Sequence, residues 1–218
     1  EERTLLDLEP LTDRLRTHFN CSYIPGALLE NDGGQSTKDT HFERRLFLYE
    51  IMTSGVIHGH RISEFTLAVL EGSGWYIPDY KYAELFFFGK NQGCSFWDGP
   101  EKDSEGYCVE AQTRGCSPTG RGGGKCSKDR KSDGYSYHYP RIQYDCENLD
   151  ARNFAILKDI EVFGIGEGSK CFTGNIQTKD EKTMRTSFCL KYECQMKGEN
   201  MTLEILIGDS RVKCLKEG

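Results

Sequence analysis

Five histidines are the residues of this sequence that could bind a transition metal or transfer protons. They are His18, His41, His58, His60 and His138. The pair His58-Gly59-His60 places two imidazoles close together, and although a lone H-x-H is weak evidence it is kept as an alternative, a metal site formed by this chain alone. A catalytic zinc, however, takes three protein ligands and a water molecule. The motif H-E-x-x-H, which supplies two of these ligands and a general base in zinc peptidases, is absent because the sequence has no His-Glu dipeptide.

The ten cysteines are the second chemically informative set. They occupy positions 21, 94, 108, 116, 126, 146, 171, 189, 194 and 214. No C-x-x-C pair is present, so a zinc ribbon is not indicated. Two N-x-[ST] sequons make Asn20 and Asn200 candidate N-glycosylation sites. The even number of cysteines and the sequons together favour an oxidising, secretory setting and predict five structural disulfides.

A glycine-rich stretch from Gly120 to Ser127 is superficially similar to a phosphate-binding loop. Thr119 stands where the motif requires its first glycine, and Cys126 replaces the Ser or Thr that would bind Mg²⁺. The stretch therefore predicts a flexible loop between cysteines.

Composition and charge restrict the function classes. The chain has 218 residues, a formal net charge of −6 and 37% hydrophobic residues, which describes an ordered protein. The acidic balance argues against a nucleic-acid binder. No apolar run approaches the roughly 18 to 20 residues of a membrane span. The sequence opens at Glu1 without a signal-like segment, which is typical of a piece of something longer.

One segment changes the interpretation of His41. Gly33-Gly34 lies in a polar loop that leads to His41-Phe42-Glu43-Arg44-Arg45, and Glu50-Ile51-Met52 follows closely. This arrangement resembles the leishmanolysin family of zinc metallopeptidases, a branch of the metzincins. In that family a G-G-containing loop leads to the third zinc-binding histidine in an H-[WF]-[EK]-x-R pattern, and an E-[LFI]-M segment forms the Met-turn beneath the metal.

The resemblance continues downstream and implies specific roles. The stretch Ser63–Tyr76 is similar to the family's next helix, and Ala83-Glu84 with Gly89–Cys94 is similar to its closing segment. His41 would be the third zinc ligand, Met52 the Met-turn methionine, and Ser54, Gly55 and Val56 a wall of the substrate pocket. Glu43 and Glu50 match family positions other than the general base, so no catalytic residue is expected in this chain.

The missing motif limits what the chain could do alone. The resemblance implies one zinc ion shared with an H-E-x-x-H segment on another chain or missing part, with the N-terminal part of the peptidase as partner and proteins or peptides as substrates. This chain by itself is predicted to be inactive. The alternative is a catalytically inactive, disulfide-rich surface protein with an adhesion or structural role. Either would be extracellular, on the cell surface or in the secretory lumen, with membrane attachment only through an anchor outside these residues.

The resemblance and the order of the cysteines also imply disulfide pairs. Cys21 would pair with Cys94, which ties the segment before His41 to the end of the peptidase-like region. The further expected pairs are Cys108–Cys126, Cys116–Cys171, Cys146–Cys189 and Cys194–Cys214.

These residues must be positioned by a fold that we expect to be α+β. Leu8, Leu11, Leu15 and Phe19 recur at helical spacing, and His18 lies at the end of that helix, where a positive charge is favourable. His41–Ile51 is helix-compatible, and a helix with Ser63 as its N-cap is predicted through Leu70. Ile156–Phe163 and Met201–Ile207 are predicted to be strands. We expect a mostly helical metzincin lower subdomain at residues 1–98 and a disulfide-rich, loop- and strand-rich C-terminal domain at 99–218.

Overall fold

The computed structural model describes residues 3–102, 104, 106–111, 113–148, 164–177, 184–197 and 200–214. The chain divides into two compact units. Unit 1 comprises residues 1–111 and 127–137, and unit 2 comprises residues 112–126 and 138–218. Unit 1 thus extends beyond residue 98, where the expected boundary lies, to residue 111, and it also includes the short segment 127–137.

The described residues of unit 1 form four α-helices, two 3-10 helices and a small two-stranded sheet. The α-helices are α1 (Glu9–Phe19), α2 (Arg44–Phe47), α3 (Glu64–Gly72) and α4 (Cys94–Asp98), and the 3-10 helices are Tyr80–Tyr82 and Arg130–Ser132. The strands β1 (Leu5–Leu6) and β2 (Ala27–Leu28) pair antiparallel. The predictions of α1 and α3 are confirmed: Pro10 lies in the first turn of α1, and Ser63 Oγ accepts the Phe65 amide at the start of α3.

The expectation of a mostly helical lower subdomain is wrong. Only α1 and α3 exceed five residues, and long loops join the helices. In the region predicted as helix-compatible, only the four residues of α2 are helical. Every residue from Phe42 to Glu50 is buried, so the apolar spacing there does not mark one face of an amphipathic helix. Phe42 instead forms bridges with Leu29 and Thr53.

An aromatic core holds unit 1 together. Phe19 on α1 packs within 6.2 Å, between ring centroids, of Phe47, Phe96 and Trp97. Phe47 also lies 4.6 Å from Phe42, the residue that follows His41. These pairs combine edge-on and stacked arrangements, both of which are favoured geometries for aromatic rings. The core therefore anchors α1, α2 and α4 around the candidate site.

Unit 2 is built mainly of antiparallel strands. The strands are β3 (Arg114–Cys116), β4 (Gly122–Lys128), β5 (Ser136–Asp145), β6 (Ser169–Gln177), β7 (Met184–Lys197), β8 (Asn200–Ile207) and β9 (Ser210–Cys214). One sheet has the order β3-β4-β5 and another the order β6-β7-β8-β9. The predicted strand Met201–Ile207 is confirmed as most of β8, whereas the predicted strand Ile156–Phe163 lies outside the described residues.

The glycine-rich stretch is a strand and not the flexible loop that was expected. Gly122, Gly123 and Gly124 open strand β4. A Cβ atom at Gly122 would lie 2.0 Å from the carbonyl oxygen of Tyr144, and one at Gly124 would lie 2.2 Å from that of Tyr139. The backbones approach so closely that only glycine fits at these two positions, so the glycines there serve close packing rather than flexibility.

Three of the expected disulfides are present: Cys21–Cys94 in unit 1, and Cys116–Cys171 and Cys146–Cys189 in unit 2. Cys108 and Cys126 are each disulfide-bonded. The expected Cys194–Cys214 disulfide does not form, because Cys194 is a free, exposed thiol. The register of the sheet explains why Cys194 and Cys214 do not form a disulfide. Leu203 on β8 is paired with Cys194 on one side and Cys214 on the other, so a whole strand separates the two cysteines.

Among the described residues, no helix is long and apolar enough to cross a bilayer.

Candidate functional site

His41 ends the polar loop that begins after β2. Its carbonyl oxygen accepts the Glu30 amide at 2.9 Å, which fixes the backbone of the segment. Its side chain is half-buried, and Nδ1 lies 3.0 Å from Thr40 Oγ1. The Thr40 hydroxyl can donate its own proton to the Thr37 carbonyl at 3.2 Å, which leaves its lone pair for the imidazole N–H. This arrangement favours the tautomer with a lone pair on Nε2.

A neutral imidazole binds a metal through either ring nitrogen, and this tautomer leaves Nε2 available. Metal-binding histidines are typically held through their other ring nitrogen by an oxygen atom, and Thr40 Oγ1 lies where it can hold His41 Nδ1 in this way. Among the described residues, no three His, Cys, Asp or Glu side chains come together as a metal site. His41 is therefore suited to supply one zinc ligand, and the described part of the chain does not supply the full set.

Met52, the residue expected at the Met-turn, is positioned by the carboxylate of Glu50. The amide of Met52 donates to Glu50 Oε2 at 2.6 Å. Glu50 Oε1 accepts the hydroxyls of Ser63 and Thr66 and the Ser63 amide. Glu50 is fully buried, and burial raises its pKa. One carboxylate thus ties the turn at Met52 to the first turn of α3.

The two predicted site segments are joined directly. The amide of Phe42 donates to the carbonyl oxygen of Met52 at 2.9 Å, and Phe42 forms a parallel bridge with Thr53. Because His41 precedes Phe42 in the chain, this pairing holds His41 beside the Met52 turn. The sequence places these segments ten residues apart, but only the fold brings them side by side.

Glu43, the other carboxylate near His41, has a structural role. Its Oε1 accepts the Arg45 amide as the N-cap of α2, and Oε2 pairs with Arg3 at 3.0 Å. Burial raises the pKa of Glu43 to about 8, and the nearby charge of Asp133 contributes in the same direction. Glu43 is completely buried. Neither Glu43 nor Glu50 presents a carboxylate that could activate a water molecule next to His41.

The predicted pocket wall, Ser54 to Val56, follows Met52. Ser54 is buried, and its hydroxyl donates to Glu30 Oε2 at 2.7 Å. Gly55 lies against the guanidinium of Arg44: a Cβ there would be 1.9 Å from Nη1. Val56, in contrast, is 87% exposed. Ser54 and Gly55 are therefore fixed by contacts with Glu30 and Arg44, whereas Val56 is open to solvent.

His58 and His60, the alternative metal pair that the sequence offers, stay a prediction. In the structure His60 Nε2 accepts the Ile57 amide at 3.2 Å, and burial lowers the pKa of His60. The expectation that His18 carries a stabilising charge is wrong. His18 is 4% exposed, its Nε2 is bonded to the Phe88 carbonyl at 2.9 Å, and burial lowers its pKa to about 4. His18 is a neutral core residue.

Three residues that support the site were not identified from the sequence. Glu30 accepts the Ser54 hydroxyl from 24 positions away, Arg44 packs behind Gly55, and Lys131 donates to the Ser54 carbonyl across 77 positions. Of the three, only Arg44 could have been identified from the sequence, because it belongs to the family pattern that follows His41. The other two contacts are long-range, and no local pattern marks them.

A sequence model of the leishmanolysin peptidases matches residues 7–144, more than half of the chain. A leishmanolysin-like peptidase of Caenorhabditis elegans is 44% identical over 84 residues, which cover 38% of this chain and 13% of that protein. A ciliated left-right organizer metallopeptidase of Danio rerio is 27% identical over 190 residues, which cover 83% of this chain and 30% of that protein.

A leishmanolysin of Leishmania donovani is 22% identical over 233 aligned positions, which cover 92% of this chain and 39% of that protein. The chain thus spans between about one eighth and two fifths of the length of these relatives. The region that the family model matches contains His41, Met52 and the aromatic core of unit 1. On this evidence the chain belongs to the leishmanolysin family of metallopeptidases.

Proposed function

We propose that this chain contributes the third zinc ligand, His41, and the Met-turn methionine, Met52, to a zinc metalloendopeptidase. Two further histidines and the general-base glutamate would come from an H-E-x-x-H segment that the printed sequence lacks. The observation that carries the proposal is the Phe42–Met52 backbone bond of 2.9 Å, which holds His41 next to the Met52 turn. The resemblance implies a Met-turn beneath the zinc, so the histidine and the turn would have to be neighbours.

Each residue of the chain has a distinct task in this proposal. His41 Nε2 binds the ion, and Thr40 keeps the imidazole in the required tautomer. Glu50 accepts the Met52 amide and so holds the backbone of the turn. The zinc, when bound, polarises the scissile carbonyl and lowers the pKa of a bound water towards about 7. Ser54 to Val56 would face the substrate side chain beyond the scissile bond.

The chain alone would have no peptidase activity. One histidine is an incomplete ligand set for catalytic zinc. Glu43 and Glu50 are both buried and already accept hydrogen bonds, so neither can serve as the general base. The partner in this proposal is the H-E-x-x-H-bearing part of the same peptidase, and the substrates are proteins or peptides.

The disulfides support an oxidising location for the protein. Cystines such as Cys21–Cys94 persist in secreted and surface proteins and are rare in the cytosol. Asn20 is exposed, as an N-glycosylation site must be. We therefore place the peptidase outside the cell, on its surface or in the secretory lumen.

The proposal is tested by mapping the native protein for an H-E-x-x-H peptide and by measuring zinc. The material containing both parts should bind one zinc per molecule and cleave peptides in a chelator-sensitive reaction. His41→Ala should remove the zinc and the activity without unfolding the protein, because its side chain is only half-buried and its bond to Thr40 joins neighbouring residues. His58→Ala is the matched control and should retain both.

The outcomes separate the proposal from its alternatives. Zinc bound equally by the wild type and His41→Ala would contradict the role of His41. Zinc lost in His58→Ala but kept in His41→Ala would indicate the site at His58 and His60. Absence of both zinc and an H-E-x-x-H partner would favour the inactive surface protein.

A further inference from the structure

The segment 127–137 supports the predicted pocket wall from behind. Lys131, in a 3-10 helix at Arg130–Ser132, donates from Nζ to the carbonyl oxygen of Ser54. The stem of Lys131 also passes close to Gly33, in the loop before His41: a Cβ at Gly33 would lie 3.6 Å from Lys131 Cε. The ammonium thus fixes the direction of one carbonyl in the wall, and with it the plane of the Ser54-Gly55 peptide.

Asp129 couples Lys131 to the second support of the wall. Its Oδ1 accepts the Lys131 amide at 3.2 Å, which orients the turn that carries Lys131. Its Oδ2 pairs with Arg44 Nε at 2.8 Å, and the side chain of Arg44 is only 4% exposed. Arg44 Nη2 also donates to Tyr137 Oη at 2.9 Å. The guanidinium that fills the space behind Gly55 is therefore held by the same carboxylate.

These contacts hold Ser54 and Gly55 in place and leave the side chain of Val56 exposed. Ser54 is held by Glu30 through its hydroxyl and by Lys131 through its carbonyl. Gly55 has no side chain and rests on Arg44. Val56 follows and is 87% exposed. An apolar side chain displayed on a fixed backbone is suited to contact an apolar substrate group.

We propose that Lys131 is a positioning residue for substrate binding: it fixes Ser54 and Gly55 so that Val56 meets the side chain that follows the scissile bond. This inference rests on the proposed function, because it needs the peptidase site. Lys131 touches neither zinc nor the reacting atoms. It acts through the backbone of the wall.

The first arm of the test measures backbone order in the printed chain and does not depend on activity. Lys131→Met removes the donor but keeps the aliphatic stem, and Lys131→Arg keeps a donor. Lys128→Met is the matched control, since Lys128 is exposed in the same segment. We expect amide hydrogen exchange across residues 53–57 to be about tenfold faster in Lys131→Met, because a charge-assisted hydrogen bond is lost. Lys131→Arg and Lys128→Met should match the wild type.

The second arm measures peptide cleavage by the complete peptidase with the same three variants. Peptides that differ only in the residue after the scissile bond, Leu or Ser, serve as substrates. Lys131→Met should raise KM for the Leu peptide by roughly fivefold and leave kcat within about twofold, because ground-state and transition-state binding are lost equally. Lys131→Arg should restore KM. The Ser peptide, which has little apolar surface to bind, should change less.

The outcomes test separately the support of the wall by Lys131, its role in substrate binding and the proposed function. Unchanged exchange in Lys131→Met would overturn the support of the wall. Faster exchange with an unchanged KM, or an equal effect on both peptides, would overturn the role in apolar substrate binding. A complete wild-type peptidase, with its H-E-x-x-H part, that showed no activity would refute the proposed function, and the exchange comparison on the printed chain would still decide whether Lys131 holds the wall.

Discussion

The amide of Phe42 donates a hydrogen bond to the carbonyl oxygen of Met52, with 2.9 Å between the two atoms. Phe42 is buried and stacks on Phe47, so this bond is anchored in the aromatic core of unit 1. The pairing turns two sequence motifs into one site, because a shift of either segment would move His41 relative to Met52. The stability of unit 1 and the geometry of the site are therefore coupled.

Glu50→Gln should destabilise unit 1 by about 1–3 kcal/mol. The hydrogen bonds described for the Glu50 carboxylate are all received by its two oxygens, from Met52 at Oε2 and from Ser63 and Thr66 at Oε1. A glutamine that keeps its oxygen at the Oε1 position must point its amide group at the Met52 amide, so two donors face each other. Urea unfolding followed by tryptophan fluorescence measures the loss, since Trp75 and Trp97 both lie in unit 1.

The matched control for that substitution is Glu9→Gln, because Glu9 is exposed in the first turn of α1. It should change the free energy of unfolding by less than about 0.5 kcal/mol. Equal effects of the two substitutions would show that Glu50 does not organise the Met52 turn.

Acidification should destabilise the chain through His18. Its pKa is lowered to about 4 in the folded protein, whereas an unfolded histidine titrates near 6.5. Between these values the unfolded state binds the extra proton, so stability falls as the pH decreases from about 6.5 to 4. The contribution lost between pH 7 and pH 5 is about 2 kcal/mol.

His18→Gln isolates this contribution from that of other titrating groups. Glutamine is neutral at every pH and can still donate to the Phe88 carbonyl, as the His18 Nε2–H does. The difference in unfolding free energy between the wild type and His18→Gln should therefore shrink on acidification. A difference that is constant from pH 7 to pH 5 would mean that His18 is not buried in its neutral form.

Gly124→Ala should destabilise unit 2 by about 1–3 kcal/mol, whereas Gly123→Ala should be tolerated. A methyl group at Gly124 would lie 2.2 Å from the Tyr139 carbonyl oxygen, but the nearest atom to a methyl group at Gly123 is 3.6 Å away. The two glycines are neighbours in strand β4, so they share the same loss of chain entropy. Thermal unfolding monitored by circular dichroism compares them. Equal melting temperatures would refute the close approach of β4 and β5 at this point.

Removal of the Cys21–Cys94 disulfide should lower the stability of unit 1 by up to about 4 kcal/mol in the chain-entropy model. The bond closes a sequence separation of 73 residues that includes His41 and Met52. The double variant Cys21→Ala/Cys94→Ala should unfold at a lower urea concentration. Cys194→Ser, which alters a free and exposed thiol, is the control and should leave the midpoint unchanged. Matching midpoints for all three proteins would contradict a stabilising role of the bond.

Local elements were largely predictable because their signals are local. The helical spacing from Leu11 to Phe19 and the N-cap at Ser63 depend on residues within a few positions, and both helices form as expected. The prediction for Phe42 to Glu50 failed because these side chains are all buried, which removes the contrast between apolar and polar faces. The prediction of a flexible loop at Gly122–Gly124 failed because glycine is required there by the close backbone of β5. The local sequence pattern does not reveal that neighbour.

The sequence by itself determined the family, the identity of His41 and Met52 as candidate site residues, and three disulfide pairs. It could do so because the family motifs around His41 and Met52 are encoded in residue types and short spacings, and because the resemblance and the order of the cysteines imply the disulfide pairs. Only the tertiary structure decided that Phe42 joins the two motifs, that Glu50 holds Met52, and that Lys131 reaches Ser54. It also decided that His18 is neutral and that Cys194 is unpaired. The physical reason is that hydrogen bonding, burial and strand order depend on neighbours that are distant in sequence, and only the folded chain brings them into contact.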